Sequence, residues 1–138
     1  MPAEIFTHVH RVTYADCTVG NHVYYGRYPD LLEAARGEFF RHLGTSFLEY
    51  QEEGIFFPVS EVHLKYFAFA EYDDELSIEC RITAIRGARL VFGYRITKGE
   101  GVPILEGETL HGCINAAGRA SRLPAALADK LRPYLDEN

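Results

Sequence analysis

Positive charge is what this chain has least of. Its 138 residues include 14 Lys and Arg against 20 Asp and Glu, a formal charge of −6. That balance argues against broad electrostatic capture of nucleic acid or of an anionic membrane. Cysteine is scarce as well: Cys17, Cys80 and Cys113 are odd in number and have no close metal-type spacing. A disulfide scaffold and a zinc knuckle are thereby disfavoured, and reduced thiols in a cytoplasm fit best. Long apolar runs are missing, since no window approaches the roughly 20 residues needed to cross a bilayer. The opening Met1-Pro2-Ala3-Glu4-Ile5-Phe6 has no basic stretch followed by an apolar one, so no membrane insertion is expected. Repeats, low-complexity tracts and Pro/Ser-rich linkers are absent too, which predicts one domain over residues 1–138. What is there, 47% apolar and 25% charged residues, is globular composition with enough chain for a layered core.

Pattern then assigns elements. Residues Phe6 to Ala15 mix β-branched and aromatic residues with polar ones, as a strand does, and Gly20-Asn21 marks a turn beyond it. Tyr28, Leu31, Leu32, Ala35 and Phe39 fall on one stripe of an α-helix that tolerates Pro29 in its first turn and ends at Gly44. Phe40 and Leu43 widen the apolar face, which predicts a helix lying deep against a sheet. Gly37 inside it costs about 1 kcal/mol relative to Ala unless another backbone lies close. Ser46-x-x-Glu49 reads as a capping box opening a short second helix that Gly54 closes. Four strand-like runs follow: Phe56 to Ala68, Glu75 to Ala84, Arg89 to Thr97 and Ile104 to Asn115. Short connections at Tyr72-Asp73-Asp74, Arg86-Gly87 and Lys98-Gly99-Glu100-Gly101 predict antiparallel neighbours. Leu123-Pro124 with Leu127, Leu131 and Leu135 marks a short terminal helix. The order predicts an α+β fold, an antiparallel sheet wrapped round one long helix.

The densest cluster of unusual residues spans Asp16 to Tyr28, where the first strand meets the helix. A helix N-terminus offers unpaired N–H groups and the positive end of a dipole. Such an end stabilises negative charge developing on a carbonyl oxygen, which acyl transfer requires. The amides around Tyr24 to Gly26 are the candidates. A plainer reading also stands, in which Asp16 and Asn21 satisfy turn amides and His22 packs against Tyr28. His22 is otherwise suited to activating water near neutral pH. Glu33 and Glu38 read as solvated, or paired with Arg36 or Arg41. His8 and His10 share one strand face, but with no third ligand nearby no metal site is predicted. Phe56-Phe57 and Tyr66-Phe67-Ala68-Phe69 either line an apolar pocket or fill the core.

The stretch from Val12 to Tyr28, VTYADCTVGNHVYYGRY, followed by Leu32-Glu33-Ala34-Ala35-Arg36-Gly37-Glu38, resembles the signature of hotdog-fold acyl-CoA thioesterases of the 4-hydroxybenzoyl-CoA thioesterase type. Tyr72-Asp73-Asp74-Glu75-Leu76 and Gly118-Arg119-Ala120-Ser121-Arg122-Leu123-Pro124 look similar as well. The resemblance covers nearly the whole chain and implies a five-stranded antiparallel sheet round a central helix. It implies hydrolysis of an acyl- or aryl-CoA, or acyl-carrier-protein, thioester to free acid and thiol, without metal or redox cofactor. The helix-start amide that the family places over the thioester carbonyl matches Tyr25.

The family carries a carboxylate two residues after the position of Asp16, and here that position is Thr18. A Thr hydroxyl is a poor nucleophile unless a base activates it. Three readings stand: Asp16 takes the base role; oxyanion stabilisation suffices, with Thr18 and His22 holding a water; or the protein binds thioesters without hydrolysis. Thioesterases associated with enediyne polyketide synthases look similar here, lack the carboxylate, and imply a catalytic role for Arg36. Basic residues matching Arg86, Arg89, Arg119 and Arg122 hold the CoA phosphates in the family, a role that suits bidentate arginine. A position that is basic in some relatives is Gly87 here, which leaves an acidic carrier protein as the other donor. Hotdog relatives also imply a homo-oligomer, a dimer or dimer of dimers, with sites built from both subunits. The competing classes are a hotdog dehydratase or isomerase, with Asp16 or His22 abstracting a proton, and a binding module that turns nothing over.

Overall fold

The computed structural model describes residues 2–136. Strand β1 (Phe6–Arg11) alternates half-buried and exposed residues, so Phe6, His8 and His10 share the inner face. Helix α1 (Tyr28–His42) buries Leu31, Leu32, Ala35, Phe39 and Phe40. Pro29 occupies its first turn, and Arg41 and His42 complement the dipole in its last. Leu43 caps it and Gly44 follows at φ 83°, a left-handed turn that glycine makes without a Cβ clash. Helix α2 (Phe47–Glu52) starts where Ser46 Oγ accepts the Glu49 N–H at 3.1 Å. The Glu49 carboxylate turns instead to the Thr45 hydroxyl, so the predicted capping box is half closed.

Strands β2 (Ile55–Phe56), β3 (Val59–Tyr66), β4 (Glu75–Arg86), β5 (Arg89–Lys98), β6 (Val102–Gly112) and β7 (Ile114–Asn115) follow, then helix α3 (Ala125–Leu131). Five of them form one antiparallel sheet in the order β1-β4-β5-β6-β3, while β2 and β7 pair separately. The inner face sets Ile78, Ile82, Phe92, Tyr94, Ile96 and Leu105 in one core with α1. Each such large side chain contributes about 2 kcal/mol on burial, which makes helix against sheet the main stabilising contact. The expected α+β architecture, a five-stranded sheet wrapped round a long helix, is what forms.

Four details differ from the sequence reading. The first strand stops at Arg11 rather than Ala15, because Val12 bonds through both N–H and C=O to Asp74 and Asp73. A single 3-10 turn, Tyr14–Asp16, follows it. The runs 56–68 and 104–115 each break in two, at Phe57-Pro58 and at Cys113. Most consequentially, β3 and β4 are not neighbours, and β3 pairs with β6 at the sheet edge. The reason is that residues 67–74 make no hairpin: Ala70 C=O accepts the Val23 N–H, and Glu71 bridges to His22. That segment therefore crosses beneath the start of α1. At Gly37 the nearest group to an added Cβ is the Arg41 guanidinium at 3.3 Å, so no backbone of this chain uses the space. No helix among the described residues is long and apolar enough to cross a membrane.

Candidate active site

Asp16 organises the loop that leads into α1. Its carboxylate accepts from Thr13 N–H at 2.9 Å, from His10 Nε2 at 2.8 Å and from Arg27 Nε at 2.8 Å. Burial alone would raise its pKa, but these three hydrogen bonds outweigh it and bring the group down to about 2. The main-chain oxygen of the same residue accepts the Tyr24 N–H at 3.0 Å. Asp16, 1% exposed, thus ties β1, the 3-10 turn and the opening of α1 together, with both carboxylate oxygens engaged.

Those bonds decide which amides remain. Tyr24 N–H is spent on Asp16, Val23 N–H on Ala70 and Arg27 N–H on Tyr24. Between them, Tyr25 and Gly26 N–H have no acceptor among the described residues. The Tyr25 peptide is held from its other side, where Tyr66 O–H donates to its carbonyl at 3.2 Å. An added Cβ at Gly26 would fall 2.6 Å from the half-exposed Tyr24 ring, which would have to swing aside.

Tyr25 borders a cleft of about 390 Å³ lined also by Thr18, His22, Tyr24, Tyr28 and residues 66–69, and Gly26 borders the neighbouring hollow toward Val62 and Leu64. The second aromatic run therefore lines the cleft, with Phe67 and Phe69 exposed, whereas Phe57 packs with Phe40, Phe47 and Tyr50 in the core. His22 stacks on Phe69 at 4.5 Å rather than packing on Tyr28, whose ring leans on Tyr66. The Thr18 backbone closes the turn to His22 at 2.9 Å, and no side-chain hydrogen bond engages its hydroxyl among the described residues. Thr18, His22 and Tyr25 thus meet at one cleft.

Arg36 lies elsewhere, in the third turn of α1 and 9% exposed. Its guanidinium donates to Tyr94 O at 3.0 Å, Tyr94 bonds Thr109, and Thr109 bonds His111 Nε2 at 2.8 Å. His111 Nδ1 faces the Phe57 carbonyl at 3.0 Å. A carbonyl only accepts, so Nδ1 carries the proton and Nε2 accepts from Thr109. Burial, with help from the Arg36 charge, lowers His111 to about 4, so it stays neutral. Burial pushes Tyr94 up to about 12. Every proton in this relay therefore points away from Arg36. Sequence reading missed Tyr94, Thr109 and His111. The signal was two polar residues at period 2 on the inward face of β6.

The four arginines expected to hold CoA phosphates gather at the opposite end of the sheet. Arg86 and Arg89 face each other across the β4–β5 turn. Leu123 N–H bonds Gly87 C=O at 3.0 Å and Ser121 N–H bonds Cys113 C=O at 2.8 Å, which brings Arg119 and Arg122 to the same end. All four are exposed, and none joins an ion pair among the described residues. The strand rise sets this end roughly 35 Å from the start of β4, beside the cleft. Glu38 pairs with Arg41 at 2.7 Å, and Glu33 has no ion pair among the described residues. No cluster of three metal-ligating side chains occurs among the described residues.

A family model for the thioesterase-like superfamily matches residues 12–131. The chain belongs to that superfamily. It is 37% identical over 105 residues to the acyl-CoA thioester hydrolase YbgC of Escherichia coli, covering 76% of this chain and 78% of that one. Its hotdog fold matches the 1,4-dihydroxy-2-naphthoyl-CoA thioesterase of Synechocystis at a TM-score of 0.87, with 21% identity and coverage of 94% and 96%. A 4-hydroxybenzoyl-CoA thioesterase complexed with 4-hydroxybenzoyl-CoA superposes at a TM-score of 0.85, with 24% identity and coverage of 94% and 99%. The family, fold and enzyme class expected from the sequence agree with these matches.

Proposed function

We propose that the protein hydrolyses an acyl-CoA thioester to the free acid and the coenzyme A thiol. The unused Tyr25 amide, in a residue that lines an aromatic cleft of a thioesterase-like chain, carries this reading. The thioester carbonyl accepts from Tyr25 N–H, which stabilises the oxyanion as it forms. A water held by Thr18 and His22 attacks the carbonyl carbon, the C–S bond breaks, and the thiolate leaves and takes up a proton. Asp16, saturated by three donors, acts as a positioning residue that fixes where the helix begins.

Tyr24 sits at φ −65° and ψ 130°, the extended conformation that a following proline requires. Tyr25→Pro therefore deletes one N–H at a position where proline suits a helix start. It lowers kcat about 10²- to 10³-fold relative to Tyr25→Ala, which lacks the same ring and keeps the amide. Equal rates for the two variants would overturn the assignment.

The substrate spans two copies of the chain in this proposal. Strand β3 is a sheet edge whose inner-face Val62 is 47% exposed, and apolar lining continues from Tyr25 and Pro29 along Val62, Leu64 and Tyr66. Pairing two such edges antiparallel about a two-fold axis covers both edges. It also sets the cleft of one copy beside the arginine end of the other, where the CoA phosphates find their partners. An acidic carrier protein is the other donor these arginines fit. Rates on CoA-bound and carrier-bound forms of one acyl group distinguish the two. Thr18, in place of a carboxylate, favours the second reading, binding without turnover, and a thiol reagent with an acyl-CoA panel decides it.

A further inference from the structure

We propose that Arg36 recognises a carboxylate carried by the acyl group, so that the preferred substrates are CoA thioesters with an acidic far end. This inference rests on the thioesterase reading and adds the substrate class to it. Removing a guanidinium from water is costly unless an anion accompanies it. Arg36 is 9% exposed, yet no ion pair among the described residues includes it. Its one hydrogen-bond acceptor among the described residues is Tyr94, and the Phe92 ring lies 6.0 Å from its Cζ, a partial compensation that leaves the charge without an anion. A guanidinium has five N–H donors. No fully buried side-chain nitrogen or oxygen among the described residues lacks a partner, so the donors left over are those open to space.

That space is a cavity of about 560 Å³, walled on its inner side by Arg36, Phe47, Phe57 and His111, with His8, Glu33 and the Glu38–Arg41 ion pair also on its lining. His111 has both ring nitrogens engaged and Arg41 is held by Glu38, so Arg36 is the buried cation on this wall without a carboxylate partner among the described residues. The relay through Tyr94, Thr109 and His111 presses on one guanidinium nitrogen only and leaves the fork free for a carboxylate. Arg36 lies eleven residues past Tyr25, which opens the 3-10 turn leading into α1, roughly 16 Å by the helical rise. Within one copy, a group bound there lies well away from the Tyr25 amide, which suits the far end of the acyl chain. Glu33, exposed on the same rim, opposes an anion and moderates the preference.

The test pairs CoA thioesters of equal length, one ending in a methyl group and one in a carboxylate, over rising chain lengths with the full-length protein. At one length or more, kcat/KM favours the acidic member by roughly ten-fold or more. Arg36→Met removes most of that preference through KM for the acidic member, Arg36→Lys restores part of it, and Glu33→Gln raises it. Tyr94→Phe, which keeps the charge and removes its anchor, lowers the preference several-fold and serves where Arg36→Met does not fold. The proposal falls if no chain length favours the acid, or if Arg36→Met slows both members equally. Thiol release from methyl-ended thioesters alone defeats this inference and leaves the thioesterase reading intact. No thiol release from any thioester defeats both.

Discussion

The two ends of the sheet handle positive charge in opposite ways. Beside the cleft, Arg11 is held by Glu75 at 3.0 Å, Arg27 by Asp16 at 2.8 Å and Lys98 by Asp74 at 3.1 Å. At the far end, Arg86, Arg89, Arg119 and Arg122 stand exposed with no carboxylate within ion-pair distance among the described residues. Paired cations fix a loop. Unpaired ones gathered in a chain of charge −6 form a local field for an anion from outside. In the proposed function one end holds geometry and the other takes phosphate, with two copies applying both to one thioester.

Breaking the proposed edge contact gives the largest effect. Val62→Glu places a charge on the inner face of β3, which yields monomers by sedimentation and lowers kcat/KM more than 100-fold. A monomer of undiminished activity would show that the two ends need not meet. Replacing the four arginines with Gln comes next: KM for an acyl-CoA rises roughly 30- to 100-fold while kcat changes little. The rise shrinks as salt increases, because screening already weakens the same contacts in the parent protein.

Acid separates the two regions by stability. His111, on the half of β6 toward the arginine end, sits near 4 when folded against an ordinary value of 6.5. The unfolded chain binds the proton first, so stability falls by about 3 kcal/mol as pH drops from 6.5 to 4. Urea titrations across that window, repeated with His111→Gln, expose a slope that the variant loses. Asp16 acts lower down. Its folded value of about 2 lies below the ordinary 3.8, so its contribution of about 2 kcal/mol is present above pH 4 and disappears between 4 and 2. Asp16→Asn therefore costs about 2 kcal/mol at pH 7 and almost nothing near pH 2, as read by thermal melts at the two pH values.

The long helix and the later hairpins are legible in the chain because their signals are local. Apolar spacing from Tyr28 to Phe40 has the helical period, and the turns at Arg86-Gly87 and Lys98 to Gly101 do close antiparallel pairs. The place of β3 is not legible. Tyr72-Asp73-Asp74 reads as a hairpin turn, but Asp73 N–H bonds Val12 C=O, sixty-one residues earlier, and the strand goes to the edge. At the site, the cluster from Asp16 to Tyr28 marks the right loop. What each member does depends on partners that no local pattern reveals: His10 and Arg27 saturate Asp16, and Tyr94 reaches Arg36 across fifty-eight residues.

Asp16 clasps the opening of α1 with its main chain as well as its side chain, and so it leaves one peptide donor consumed and the next one vacant. Adding or deleting a single residue between Asp16 and Tyr24 would slide this assignment by one position and silence the vacant donor. The length of that stretch is therefore constrained by the hydrogen-bond pattern itself. The exposed turns at the arginine end face no such restriction, so the two ends are free to diverge under quite different rules.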